Sequence, residues 1–242
     1  MQYNFGTGLL EFTPAGANPT PLQCGVLQEV SVDIDQTMKD LYGQYKFPVD
    51  TALADGKISG KAKFGIIYGA IVNQVLSGSS LNSGSTAAGI NEVGTIPGSG
   101  PYTVTVAQSA TFVEDLGVVD ANTGLRMIRV ASAPATGQYA VTAGVYTFAA
   151  ADTAHVVWIS YSYTTAGGKT VVYNNQLMGA ATTFTCTLFN TYAGKQFGIK
   201  LFATVFPKFS YAMKNTDYTM PALDFTARAD ATQRVIEHYT TE

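Results

Sequence analysis

Few residues in this chain have the type and spacing for chemistry. There are two histidines, His155 and His238, and two cysteines, Cys24 and Cys186. A Ser-His-Asp arrangement would announce its nucleophile by a G-x-S-x-G turn, and none occurs. His155 follows a turn into a strand and His238 lies four residues from the last residue, with no clustered carboxylates to make a metal site. The cysteines are far apart and lack C-x-x-C spacing, so neither a zinc site nor a disulfide framework is expected. Gly6-Thr7-Gly8 has no following GK[ST] and is no phosphate loop. Asp33 and Asp35 share one strand face roughly 7 Å apart, a spacing that acid–base pairs or calcium ligands can use. Calcium loops, however, set their acids in Gly-punctuated turns, and these two belong to an alternating strand. A solvated strand face is the better reading. The residues argue against an enzyme, and they call for no cofactor and no metal.

The elements around these residues are mostly strands. Gln28 to Asp35 alternates, with Val30, Val32 and Ile34 on one face and Glu29, Ser31, Asp33 and Asp35 on the other, which predicts a half-buried antiparallel strand. Residues 36–56 lose that period and read as a long loop rich in apolar residues: Leu41, Tyr42, Tyr45, Phe47 and Val49. Loops of this length generally have a task. Its aromatic residues must be buried either on the chain's own core, as a lid, or on a neighbouring subunit. Phe64, Ile67, Ile71 and Val75 recur at helical spacing, predicting one helix of about 63–77 that stops at Ser77-Gly78. Residues 77–100, rich in Ser, Gly and Asn, read as a flexible loop. Residues 101–173 are strand-dense, with a turn at Asp120–Gly124 and a tight Gly167-Gly168 connection. Phe184, Cys186 and Leu188 share an apolar strand face, which makes Cys186 a core thiol. The last strands fall near 200–206, 209–213, 223–230 and 234–239.

The fold class expected is therefore mainly β: an antiparallel β-sandwich or barrel with one flanking helix and a β-rich insertion. The expected divisions are an N-terminal arm or short strand at 1–21, a core of 22–100 with 170–242, and an inserted subdomain at 101–169. Only 13% of the 242 residues are charged and the net charge is -3, against about 25% charged in an average domain. Disorder and a basic nucleic-acid-binding surface are both excluded on that balance. A weakly charged surface has less to keep copies apart, which favours burial between subunits. No apolar run is long enough to span a bilayer, and no basic n-region precedes Lys39, so a cytoplasmic site of synthesis is expected.

The order of three motifs is informative. Lys39-Asp40-Leu41-Tyr42-Gly43, Phe47-Pro48 and Gly60-Lys61-Ala62-Lys63-Phe64 follow the alternating strand, and Leu223 to Asp230 with Val235-Ile236 closes the chain. This arrangement resembles the major tail tube proteins of tailed bacteriophages, of the long-tailed, siphovirus-like kind. The resemblance implies a structural virion protein that self-assembles as stacked hexameric rings, a conduit for genome ejection. It further implies tape measure, tail terminator and tip proteins as partners, with phage DNA passing through the lumen unbound. The expected location is the virion tail, and the host cytoplasm during assembly, with no membrane contact. Carried over by motif, Leu41, Tyr42, Tyr45, Phe47 and Pro48 become an inter-ring stacking loop. Asp33 and Asp35 become lumen-facing residues of a predominantly negative wall, because a basic lumen would hold phosphates. The alternative from the residues alone is a β-sandwich binding module, such as a capsid decoration or carbohydrate-binding adhesin domain. Abundant Tyr (14) and scarce Trp (1) fit a sugar-stacking face less well.

Overall fold

The computed structural model describes residues 3–66, 68–76, 79–179 and 181–241. It is mostly β, with antiparallel sheets and, among the described residues, a single α-helix. The first half runs β1 (Leu9–Pro14), β2 (Leu22–Gln23), β3 (Leu27–Tyr42), β4 (Pro48–Phe64), α1 (Gly69–Val75), β5 (Ser79–Thr95), β6 (Thr103–Thr105) and β7 (Phe112–Asp120). The second half runs β8 (Ile128–Arg129), β9 (Gln138–Thr142), β10 (Val145–Phe148), β11 (Val156–Tyr173), β12 (Phe184–Tyr192), β13 (Lys195–Ser210), β14 (Ala222–Arg228) and β15 (Ile236–Thr240). Two compact units result, residues 1–81 with 171–242 and residues 82–170. The second unit thus begins at Asn82 and takes in most of the segment 77–100 that composition gave to the first.

The first unit is one sheet in the order β2-β1-β12-β13-β14-β4-β3, with β15 on β13. Residues 1–21 are more than an arm, since β1 pairs with β12 and buries Leu10 and Phe12. Register shifts in β12 and β13 bend the sheet, as bulges do. Phe12 consequently meets Phe206 of β13 at 4.8 Å and Phe225 of β14 at 6.5 Å between ring centroids. Cys24 and Cys186 are buried in this core, and burial raises both thiols, that of Cys24 to about 12. Helix α1 covers the core with Ile71 and Val75. It has seven residues rather than the four turns expected. Phe64 is buried by strand alternation with Ile58, Gly60 and Ala62, so its helical spacing to Ile71 is coincidental. Ile67 and the Ser77-Gly78 stop lie outside the described residues. No described helix is long and apolar enough to cross a membrane.

The second unit packs the antiparallel sheet β5-β11-β7 on the sheet β6-β10-β9-β8, in which β8 and β9 run parallel. Val118, Val157, Ile159 and Tyr161 from the first meet Tyr139, Tyr146 and Phe148 from the second in one cluster. Two expectations fail here. Residues 79–95 form the long strand β5 rather than a flexible loop, and Gly167-Gly168 lies within β11 rather than in a turn. Composition weakens such strands, but β5 and β11 are sheet neighbours, and tertiary pairing outweighs local preference.

Candidate functional site

The segment 36–56 is not a loop. β3 and β4 pair from Leu27↔Phe64 to Tyr42↔Pro48, leaving only Gly43 to Phe47 as the turn. One bulge interrupts the ladder, with Thr37 opposite Ala54 and Asp55. There the Asp55 N–H donates to Thr37 Oγ1 at 3.1 Å, and the hydroxyl donates back to the Asp55 carbonyl at 3.3 Å. Further out, Thr51 Oγ1 donates to Asp40 Oδ1 at 2.8 Å, tying the two strands across one face. The hairpin is therefore held by backbone pairing and these side-chain clasps.

Every residue from Asp33 to Lys57 is exposed. Eight residues separate the last half-covered pair, Ile34↔Ile58, from Tyr42, so the hairpin projects roughly 26 Å beyond it. The five residues carried over from the motif resemblance all lie on its outer half. Leu41 pairs with Asp50, Tyr42 pairs with Pro48, and Tyr45 and Phe47 sit in the turn, 75% and 77% exposed. Met38, Val49 and Leu53 are likewise uncovered. The lid reading is overturned, because none of these side chains returns to the chain's own core. Isolated exposed apolar residues are ordinary, but seven large ones on one projecting element form an uncovered apolar surface.

Asp33 and Asp35 face solvent on the polar side of β3, away from the core. Their setting changes the electrostatic expectation. Directly across from Glu29, Ser31, Asp33 and Asp35 stand Lys63, Lys61, Ser59 and Lys57. The next strand adds Asp224 beside Lys61, and Lys208 follows beside Asp224. Four carboxylates thus interleave with four lysines. The Lys63 ammonium donates to Glu29 and holds that carboxyl below its usual range. The face is charge-balanced rather than predominantly negative. Period-2 reading placed the acids correctly on one face, but it could not supply the lysines of the partner strand.

Sequence reasoning missed a groove at the hairpin's base. Ile34, Ile58, Ala227, Ala229, Val235 and Ile236 line a space of about 420 Å³ there. Its residues come from three distant stretches of chain that only the sheet order brings together. Reasoning also missed the exposed Met213 and Tyr218 between β13 and β14, and Leu177 and Met178 after β11.

In the second unit, His155 Nδ1 lies 2.9 Å from Asp120 Oδ2. The Asp120 carboxylate also accepts the Asn122 N–H at 2.9 Å. Burial pushes the Asp120 carboxyl up, but the bonds from Asn122, His155 and Thr123 outweigh it and leave the group below its usual range. Thr123 bonds the carboxylate rather than the imidazole, so the arrangement clamps the 120–124 turn and presents no nucleophile to His155. His238 pairs with Ile199 within the β13–β15 ladder. Among the described residues, no three His, Cys, Asp or Glu side chains gather as a metal-binding group. Comparison with protein-family models and with curated proteins finds no match.

Proposed function

We propose that the chain is a structural virion protein, a phage tail tube subunit that assembles into stacked hexameric rings. The observation that carries this reading is the projecting hairpin, a stiff element whose apolar and aromatic side chains find no cover within their own chain. A second feature supports it. β3 ends the sheet order, and among the described residues no other strand pairs with the outer edge of its sixteen residues. Exposed edges of that length are aggregation hazards unless another chain covers them. A ring that joins each sheet to its neighbour's would remove the edge, and a hairpin leaving the ring plane would hold the next ring.

The reading also gives the charge pattern a role. A lumen faced by interleaved lysines and carboxylates carries no excess of cations to hold phosphates by counterion release. DNA would pass through it without a fixed site. Tape measure, terminator and tip proteins would meet this chain at the inner wall and the ends of the tube.

The test is direct. The purified chain should form stacked discs or tubes in negative stain, and a stable monomer at high concentration would overturn the reading. The double variant Tyr45→Ser/Phe47→Ser should keep the wild-type melting temperature, because exposed substitutions change stability by only about 0.5 kcal/mol. It should nevertheless stop tube growth. Tubes that polymerise normally with this tip would show that stacking lies elsewhere.

A further inference from the structure

The hairpin has a candidate receptor on the same unit. We infer that the apolar groove at the base of β3 and β4 receives the hairpin tip of a second copy of this chain. The inference rests on the self-assembly reading above and adds what that reading leaves open, the surface on which the tip lands.

Continuity of the apolar surface is the first argument. Ile34 and Ile58 form the inner wall of the groove, with Ala227, Val235 and Ile236 opposite. Along β3, Ile34, Gln36 and Met38 alternate onto one side, and Met38 pairs with Leu53. The core face of the sheet therefore extends outward past the point where the core covers it. Ile34 is 50% exposed although its neighbours on that face are half-buried.

Reach is the second argument. The tip cannot fold back into its own groove, since the strands are paired as far as Tyr42↔Pro48 and only five residues are free to turn. Donor and acceptor are thus both present on every chain, but no chain can satisfy itself.

Area is the third. Taking ~200 Å² per aromatic side chain, the exposed parts of Tyr42, Tyr45 and Phe47 at the tip sum to roughly 400 Å². A stable interface buries about 800 Å² per partner. The tip alone supplies about half of that. The charges do not oppose the contact, because Lys46 and Asp50 lie near the tip while Asp35, Lys57 and Arg228 rim the groove.

The symmetry follows. Tip and groove are different surfaces, so the contact is heterologous. Each copy gives one tip and takes one, and growth is head to tail and polar.

Paired cysteines test this in the full chain. Lys46→Cys leaves the tip aromatics in place, and Ala229→Cys stands at an exposed position on the groove wall. The native Cys24 and Cys186 are buried and stay silent. Oxidising the assembled double variant should give a ladder of covalent multimers that neither single variant gives. Ile34→Lys should raise the concentration needed for assembly at least tenfold while the monomer stays folded. Assembly seen by microscopy with no ladder, and with Ile34→Lys assembling normally, overturns the groove and leaves the tube reading intact. Covalent dimers from Lys46→Cys alone would mean tip-to-tip contact and also overturn it. A chain that light scattering finds monomeric overturns both.

Discussion

Asp115 of β7 organises the interior of the second unit. Its side chain is 4% exposed, accepting the Tyr139 hydroxyl at 2.7 Å, the Tyr146 hydroxyl at 2.9 Å and the Gly117 N–H at 3.0 Å. Arg129 lies 3.7 Å away and supplies a compensating charge. Burial, and then the hydrogen bond to this carboxylate, raise both tyrosines above the usual phenol range. The sign of the linkage follows: the fold favours the neutral phenols, whereas unfolded tyrosines ionise near pH ~10. Their contribution is fully present below that pH and is lost as pH rises through the folded values. The midpoint of urea unfolding should therefore fall above pH ~10, and Tyr146→Phe should flatten the decline. Asp115→Ala should destabilise the unit by about 3 kcal/mol, because two phenol hydroxyls lose a charged partner. Trp158, the only tryptophan, belongs to this unit and reports its unfolding by fluorescence. Sequence could not single out Asp115, since Glu114-Asp115 reads as an ordinary polar pair until the facing sheet is in place.

At the scale of elements, the hairpin shows what patterning can and cannot reveal. Its aromatic residues were conspicuous, but its strands were not, because both faces are exposed and no apolar alternation is required of them. The predicted helix erred the other way, extending a true two-turn helix back into a strand whose last buried residue happened to keep the spacing. The Gly60-Lys61-Ala62-Lys63-Phe64 motif has a plain physical basis. A Cβ on Gly60 would stand 2.3 Å from Cζ of the buried Phe225 ring and 2.5 Å from the Ser31 carbonyl, which is backbone of the adjoining strand. Glycine lets the edge of the Phe225 ring approach β4 closely within the core below the hairpin. Gly60→Ala should cost about 2–3 kcal/mol, near the upper end for overpacking, and calorimetry of the purified variant would measure it. Because Gly60 pairs with Val32 at the root of the hairpin, the same variant should assemble poorly. A fully stable Gly60→Ala chain would mean that the ring moves aside and that the motif has another origin.

For the whole molecule, the low charge content falls mainly in the second unit, with eight charged residues among 82–170. Much of the charge in the first unit stands in the interleaved rows of β3, β4, β14 and β13, where opposite signs face each other across strands. The hairpin beyond carries Lys39, Asp40, Lys46, Asp50 and Asp55 among its uncovered apolar residues. Composition favoured burial of some surface between subunits as an expectation, and the sheet order separates the balanced face from the uncovered hairpin. The division into units was partly legible, because 101–169 is strand-dense and poor in charge. Its true start was hidden by Ser- and Gly-rich residues that form half of a strand pair. The chain leaves the first unit along β5 and returns along β11. These strands are sheet neighbours, and Lys169 Nζ reaches Ser83 Oγ at 2.9 Å while Thr170 Oγ1 donates to the Gly84 carbonyl at 2.8 Å. The first unit's two crossing points therefore lie side by side. Replacing residues 82–170 by an Asn-Gly turn between Leu81 and Val171 would close them as a hairpin. Each unit has its own buried cluster, so the shortened chain should unfold cooperatively in a single calorimetric transition. It retains the hairpin, the groove and the free edge of β3, and should still form tubes in negative stain. A shortened chain that folds but stays monomeric would place an essential assembly contact in the second unit.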